Sequence, residues 1–164
     1  MKILSVAPSR ISLFGGGTDV DPYRKEYGGE VLSMAINLRQ HFTFYFDDDI
    51  WHCLSNSNEF PIGVNPDLVY AIFERFKVNG MHRIKVESTF DGYVGQGLGS
   101  SGEAGVATVA ALRRYKNISM DRSEIAEEAF DIEVNKLGWY GGRQDQYTAA
   151  YGGMNLIKFE KEVK

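Results

Sequence analysis

The sequence predicts one α+β domain, with an antiparallel or mixed sheet and helices packed on one face of it. Strand-like segments fill most of the first third of the chain, and helix-like segments fill most of the last third. This segregation favours α+β over an alternating α/β arrangement. With 164 residues, 43% of them hydrophobic, the chain is long enough for a single hydrophobic core. We therefore expect residues 1–164 to form one domain.

Six segments have the β-branched and aromatic residues, or the alternation, that are typical of strands. They are residues 2–8, 10–14, 30–37, 41–46, 82–90 and 154–159. Residues 50–54 are also strand-like and contain Cys53, a packed apolar residue by expectation; as the single cysteine it excludes an internal disulfide. The three carboxylates of Asp47–Asp49 suggest either a metal site or a solvated hairpin turn, and we favour the turn.

Four helices are predicted by capping residues and apolar periodicity. Asn65 and Pro66 begin the first, which ends before Gly80, and Asp121 caps another that runs to Lys136. The other two are expected at residues 104–115 and 143–151.

A run of three glycines, Gly15–Gly17, interrupts the chain after the second predicted strand. The following residues suggest a short helix, with Thr18 or Asp19 as its N-cap and Pro22 in its first turn. Gly28 would end this helix.

Charge and hydropathy limit the classes of partner. The formal net charge is −4, so the surface as a whole does not attract nucleic acid or anionic lipid. An anionic substrate would need a local positive site. The N-terminus lacks the apolar stretch of a signal peptide, and no apolar run reaches membrane-spanning length. We expect a cytoplasmic protein with small-molecule partners, and neither nucleic acid nor a membrane among them.

The segment Gly95–Ser101 is the strongest chemical signal in the sequence. Its glycines allow backbone N–H groups to approach an anion, and the helix predicted after it adds the positive end of its dipole. Its two serines offer hydroxyls to a phosphate or to Mg²⁺. The spacing matches neither the Walker A pattern nor the dinucleotide fingerprint. On these residues alone, a phosphate loop and a flexible loop with a serine-rich cap are both open.

Four features, in order along the chain, resemble the GHMP kinases, a family of small-molecule kinases. Gly97–Ser101 resembles the loop that wraps the ATP phosphates, and Ala7–Asp19 resembles the family's first motif. Gly142–Gln146 resembles the segment with the catalytic aspartate, and Glu133 stands where many members have a Mg²⁺-binding glutamate. The resemblance covers nearly the whole chain and implies an ATP-dependent kinase with the N-terminal fold of that family.

The resemblance also implies roles for individual residues. Asp145 would orient or deprotonate the acceptor hydroxyl, and Arg10 would stabilise charge on the transferred phosphoryl group. Ser101 and Glu133 would hold Mg²⁺. As plainer alternatives, Arg10 could be an ion-pair partner, Asp145 a helix cap and Glu133 an exposed helix charge. The phosphates of ATP would be held by Gly95, Gly97, Leu98, Gly99, Ser100 and Ser101.

The expected acceptor is a sugar, because Gly15–Gly17 resembles the branch of the family that phosphorylates heptose 7-phosphate. By that resemblance Gly17, Thr18 and Asp19 would contact sugar hydroxyls, a role compatible with capping. The alternative acceptors are another hexose such as galactose and an isoprenoid precursor. The alternative function is that of a non-catalytic nucleotide-binding module.

Family kinases also have a C-terminal domain that completes the site. The resemblance implies that this chain is the N-terminal part alone, for which a truncation, a gene fragment and a two-chain kinase are the open explanations, with a separate C-terminal domain or chain as an expected partner. Glu103 stands where the family usually has a small residue, and the direction of its side chain decides whether it faces the nucleotide.

Overall fold

The structure is a computed structural model, and it describes residues 1–46, 65–78, 84–92 and 96–161. Four strands and five α-helices make up this part. The strands are β1 (Lys2–Phe14), β2 (Gly29–Phe46), β3 (Ile84–Phe90) and β4 (Met154–Phe159). The helices are α1 (Tyr23–Tyr27), α2 (Pro66–Arg75), α3 (Ser100–Tyr115), α4 (Arg122–Phe130) and α5 (Gln144–Tyr151). The predicted α+β class is confirmed.

The sheet is built around β2, and all of its described pairings are antiparallel. β1 pairs along most of β2, while β3 pairs with the C-terminal half of β2 and β4 with the N-terminal half. Segments predicted as separate strands, 2–8 with 10–14 and 30–37 with 41–46, are therefore each one continuous strand.

A bulge in the β1–β2 pair explains why the sequence pattern breaks there. Pro8 pairs with Arg39 and Arg10 pairs with Ala35, so two steps along β1 correspond to four along β2. Extra residues in one strand bend it and re-aim the side chains nearby. The buried residues of β2 accordingly change from odd to even positions, from 31 and 33 to 40, 42, 44 and 46. Arg10 lies immediately beyond this bulge.

Among the described helices, α3 and α5 pack against the sheet, and α2 and α4 pack on α3. α3 contacts β1, β2, α2, α4 and α5, and α5 lies against β1, β2 and β4. The core between these layers contains the fully buried rings of Phe42, Phe44 and Phe73. The opposite face of the sheet leaves apolar side chains such as Leu4 and Leu156 exposed.

Local capping rules predict several helix ends correctly. Asn65 accepts a hydrogen bond from the backbone N–H of Asp67, and Asp121 accepts from Ser123 and Glu124. The helix that Asp121 caps is α4, which continues into a π-helical segment, Asp131–Lys136. Periodicity alone gave no indication of this wider turn, which is frequent at functional sites.

Two helix starts differ from the prediction. α1 begins at Tyr23 after Pro22, so neither Thr18 nor Asp19 caps it. α3 begins at Ser100 rather than at residue 104, because Gly99 adopts a left-handed conformation from which the helix can start directly.

The described residues contain no helix long and apolar enough to cross a membrane. Cys53, Asp47–Asp49, the strand-like residues 50–54 and Gly95 lie outside the described residues, so the expectations for them stay predictions.

Candidate active site

The N-terminus of α3 opens directly from the glycine-rich loop. Gly97 and Gly99 have φ values of +71° and +89°, a left-handed conformation that favours glycine. The N-cap residue Gly99 has no side chain with which to cap the helix, and the first intrahelical bond is donated by the N–H of Glu103 to the carbonyl of Gly99. The backbone N–H groups before Glu103 therefore have no intrahelical acceptor and can receive an anion.

The N-terminus of α5 meets the N-terminus of α3, and Asp145 lies at this contact. A β-carbon added at Gly102 would lie 2.7 Å from Cβ of Asp145, so only glycine allows the two helices to approach this closely. A β-carbon added at Gly99 would lie 3.3 Å from Oδ2 of Asp145. The predicted phosphate loop and the predicted catalytic aspartate are thus in direct van der Waals contact.

Arg10 joins the loop to Asp145. Its Nε donates a 2.6 Å hydrogen bond to Oδ1 of Asp145, and its Nη1 donates to the carbonyl of Gly97, also at 2.6 Å. Its backbone N–H donates to the carbonyl of Leu98 at 3.1 Å. Arg10 is therefore an ion-pair partner, as one interpretation held, and that ion pair lies within the candidate site.

Glu133 lies in the π-helical segment and is buried, so the interpretation as an exposed helix charge is wrong. Its Oε2 accepts a 2.7 Å hydrogen bond from Nε2 of Gln146. Burial raises the pKa of Glu133, hydrogen bonding from Ser101 and Gln146 lowers it, and the charge of Asp145 raises it further. The side chains expected to hold Mg²⁺, Ser101 and Glu133, are thus neighbours.

This pair of oxygen donors fits Mg²⁺. Magnesium is usually bound by one or two carboxylates together with waters and substrate phosphates, rather than by a closed cage of acidic residues. Within the described residues there is no group of three or more acidic, histidine or cysteine side chains placed to hold a metal ion. A metal held here would therefore depend on nucleotide oxygens for most of its coordination.

Glu103 points into the protein rather than toward the open end of α3. It is 1% exposed, and neither carboxylate oxygen has a partner of normal hydrogen-bond geometry among the described residues. The pKa of Glu103 is raised to about 7, mainly by burial and in addition by the charge of Asp145. The nearby Ser9 hydroxyl and the charge of Arg10 offset part of this rise. The side chain therefore does not line the exposed surface at the N-terminus of α3.

The loop that contains the glycine run contacts the N-terminus of α5 through Asp19. The Thr18 hydroxyl donates to the carbonyl of Gly15 at 2.8 Å, which closes the turn, and Gly17 is exposed. Asp19 is 1% exposed, and it accepts hydrogen bonds from the backbone N–H groups of Gly17 and Gln144. Acceptor contacts by Gly17, Thr18 and Asp19 stay predictions, but Asp19 has little free surface for them.

Sequence reasoning missed two residues that shape the site. Gln146 was quoted within the aspartate motif but given no role, and it is the hydrogen-bond partner of Glu133. Gly102 was passed over, although a glycine inside a helical pattern is itself a signal of close packing.

A cavity of about 450 Å³ at the far end of α5, beside Gly152 and Gly153, has none of the predicted site residues in its lining.

Comparison with known proteins identifies the family. The family model for the GHMP kinases N terminal domain matches residues 67–153, just over half of the chain. A D-glycero-alpha-D-manno-heptose 7-phosphate kinase from Campylobacter jejuni is 33% identical over 172 residues, covering 96% of this chain and 50% of that protein. A mevalonate kinase from Archaeoglobus fulgidus is 28% identical over 166 residues, covering 99% and 55%.

Among solved structures, a D-glycero-D-manno-heptose 1-phosphate kinase from Bacteroides thetaiotaomicron is similar, with a TM-score of 0.82 and 28% identity. The match covers 98% of this chain and 57% of that chain. The chain spans about half the length of the curated relatives it matches. The family match, the identity with the kinase from Campylobacter jejuni and the similarity of fold agree, and the chain belongs to the GHMP kinases, of which it carries the N-terminal domain.

Proposed function

We propose that the chain is the nucleotide-binding part of an ATP-dependent kinase that transfers the γ-phosphoryl group to a hydroxyl of a sugar or sugar phosphate. The observation that carries this proposal is the position of Arg10, which binds both Asp145 and the carbonyl of Gly97. Phosphoryl transfer depends mainly on positioning and on charge neutralisation. The guanidinium of Arg10, which contacts both the loop and the aspartate, contributes to both of these requirements.

The donor side of the proposed site is the N-terminus of α3. The free backbone N–H groups of its first turn and the hydroxyls of Ser100 and Ser101 bind the β- and γ-phosphates of ATP. Gly95, Gly97, Leu98 and Gly99 complete the loop. Ser101 and Glu133 hold the Mg²⁺ ion, which neutralises phosphate charge when it is bound.

The acceptor side is the space between Asp145 and the glycine run. Asp145 orients the acceptor hydroxyl and takes its proton, and Gly17 and Thr18 contact the sugar. Asp19 follows Thr18 in the same loop. A sugar phosphate is the favoured acceptor class, because the similar protein from Campylobacter jejuni is named as a heptose 7-phosphate kinase.

A second candidate is a nucleotide-binding module without turnover of its own. It would use the same N-terminus of α3, where the N-cap residue makes no side-chain hydrogen bond, and it differs from the first candidate only in turnover.

The experiment is an assay of ADP release with ATP, Mg²⁺ and a panel of hexoses, heptoses, their phosphates and mevalonate. We expect turnover with a sugar or sugar phosphate. Release of ADP only with mevalonate would reassign the acceptor. If no acceptor yields ADP but Mg–ATP raises the melting temperature, the module is supported instead.

The decisive variant is Asp145→Asn, which keeps the side-chain size but removes the base. Loss of a general base lowers kcat by about 10²–10⁴-fold. We expect a fall of this size with the affinity for ATP nearly unchanged. Full activity in the variant would contradict the role of Asp145.

A further inference from the structure

We propose that Asp19 is a positioning residue: from the glycine-run loop it caps the N-terminus of α5 and so holds Asp145 against the phosphate loop. This assigns Asp19 an indirect role, in place of the sugar contact that the family resemblance implies. The cap that Asp19 forms on α5 does not depend on the protein's activity, whereas the effect of this cap on turnover rests on the proposed kinase function.

Both oxygens of Asp19 are already used within the protein. Oδ1 accepts from the N–H of Gly17 at 3.2 Å, and Oδ2 accepts from the N–H of Gln144 at 2.9 Å. With only 1% of Asp19 exposed, its carboxylate presents almost no surface to a sugar. The carboxylate therefore connects two segments that are 125 residues apart, as measured from Asp19 to Gln144.

α5 needs a cap from elsewhere because its own N-cap residue provides none. Arg143 has a helical conformation there and makes no side-chain cap hydrogen bond. Its side chain instead donates to Glu127 and stacks on Phe130, with 3.8 Å between the guanidinium carbon and the ring centroid. A helix of eight residues has its first N–H groups unpaired, and a carboxylate at that end satisfies one of them and favours the dipole.

The residue before Arg143 shows how closely the carboxylate is fitted. A β-carbon added at Gly142 would lie 2.1 Å from Oδ2 and 2.3 Å from Cγ of Asp19. Only glycine at position 142 leaves room for the cap. Gly142 and Asp19 thus form one interlocked contact, and it lies three residues before Asp145.

The consequence concerns the placement of Asp145. Asp145 follows Gln144, whose N–H is the group that Asp19 binds, and it forms the ion pair with Arg10 on the other side. Loss of the cap allows the first turn of α5 to fray, which moves Asp145 relative to the loop. Small misplacement of a reacting group lowers the rate by up to about 100-fold without weakening the binding of substrate.

The kinetic test uses Asp19→Ala and Asp19→Asn, since the asparagine keeps the volume and one acceptor oxygen if the alanine variant does not fold. We expect kcat to fall by about 10- to 100-fold, with the KM of the acceptor within about 3-fold of the wild type. Asp21→Asn is the matched control, because Asp21 lies in the same loop but pairs with Arg24 and Lys25. A raised acceptor KM with kcat unchanged would make Asp19 a sugar ligand and overturn the proposal.

A second measurement does not depend on activity. The N–H of Tyr147 makes the first intrahelical bond of α5, to the carbonyl of Arg143, and does not touch Asp19. Its hydrogen exchange should be at least about 10-fold faster in both Asp19 variants than in the wild type and in Asp21→Asn. Wild-type protection of Tyr147 in both variants would overturn the proposal, even if the protein proved not to be a kinase.

Discussion

Arg10 and Asp145 are both partly exposed, with 14% and 24% of their side chains accessible, so the ion pair stands at the open side of the site. Glu103 lies beneath them and is almost fully buried. A carboxylate without a good hydrogen-bond partner in such a place favours its protonated form. At the residue scale, the compensated carboxylate of Asp145 thus has the uncompensated carboxylate of Glu103 as a buried neighbour.

The uncompensated Glu103 predicts a pH-dependent stability. Its pKa is about 7 in the folded chain and near its usual 4.5 when unfolded. Between these values the folded chain keeps a proton that the unfolded chain releases, so the free energy of unfolding falls as pH rises, and above pH 7 the penalty is constant. We expect Glu103→Gln to be more stable than the wild type by about 1–3 kcal/mol at pH 8 and equal at pH 4.

Denaturant unfolding at a series of pH values measures this difference. Glu160→Gln is the control, because Glu160 is exposed, and its profile should follow that of the wild type. A difference between Glu103→Gln and the wild type that stays constant from pH 4 to pH 8 would contradict the interpretation.

At the element scale, the site is the meeting of two helix N-termini, and its parts differ in how well the sequence predicts them. Short-range rules found the caps of α2 and α4 and the extent of β4 because these depend on neighbouring residues. The bulge between β1 and β2 and the π-helical segment depend on packing between elements, and no local pattern marks them. The cap on α5 comes from a residue in another part of the chain, which explains why capping was assigned to the wrong helix.

The contact between α3 and α5 can be tested with two glycines of α3. Gly102→Ala places a β-carbon 2.7 Å from Cβ of Asp145 and should destabilise the chain by about 1–3 kcal/mol, because the helices must separate. Gly105→Ala, one turn later, meets Cβ of Ala129 at an ordinary 3.5 Å. It should be neutral, or stabilising by up to about 1 kcal/mol, since alanine favours helix. Equal midpoints of thermal unfolding for the two variants would refute the close contact.

At the scale of the whole molecule, motif resemblance predicted more than periodicity did. Periodicity predicted the class of fold, whereas the four motifs predicted which segments lie together. Accordingly, Arg10, Ser101, Glu133 and Asp145 come from four separate segments and are neighbours in the structure. The acceptor is predicted less well, because Thr18 and Asp19, which the resemblance assigns to it, both make hydrogen bonds within the protein.

Calorimetric titration of the chain with Mg–ATP tests the central claim, that the N-terminus of α3 binds the phosphates. The comparison is between the wild type, a double variant with Ser100→Leu and Ser101→Leu, and Ser123→Leu, a serine in the first turn of α4. We predict that the double variant, while still folded, loses at least about 10-fold in affinity, a difference of about 1.4 kcal/mol. Ser123→Leu should bind like the wild type. Undiminished binding of Mg–ATP by the double variant would contradict the claim.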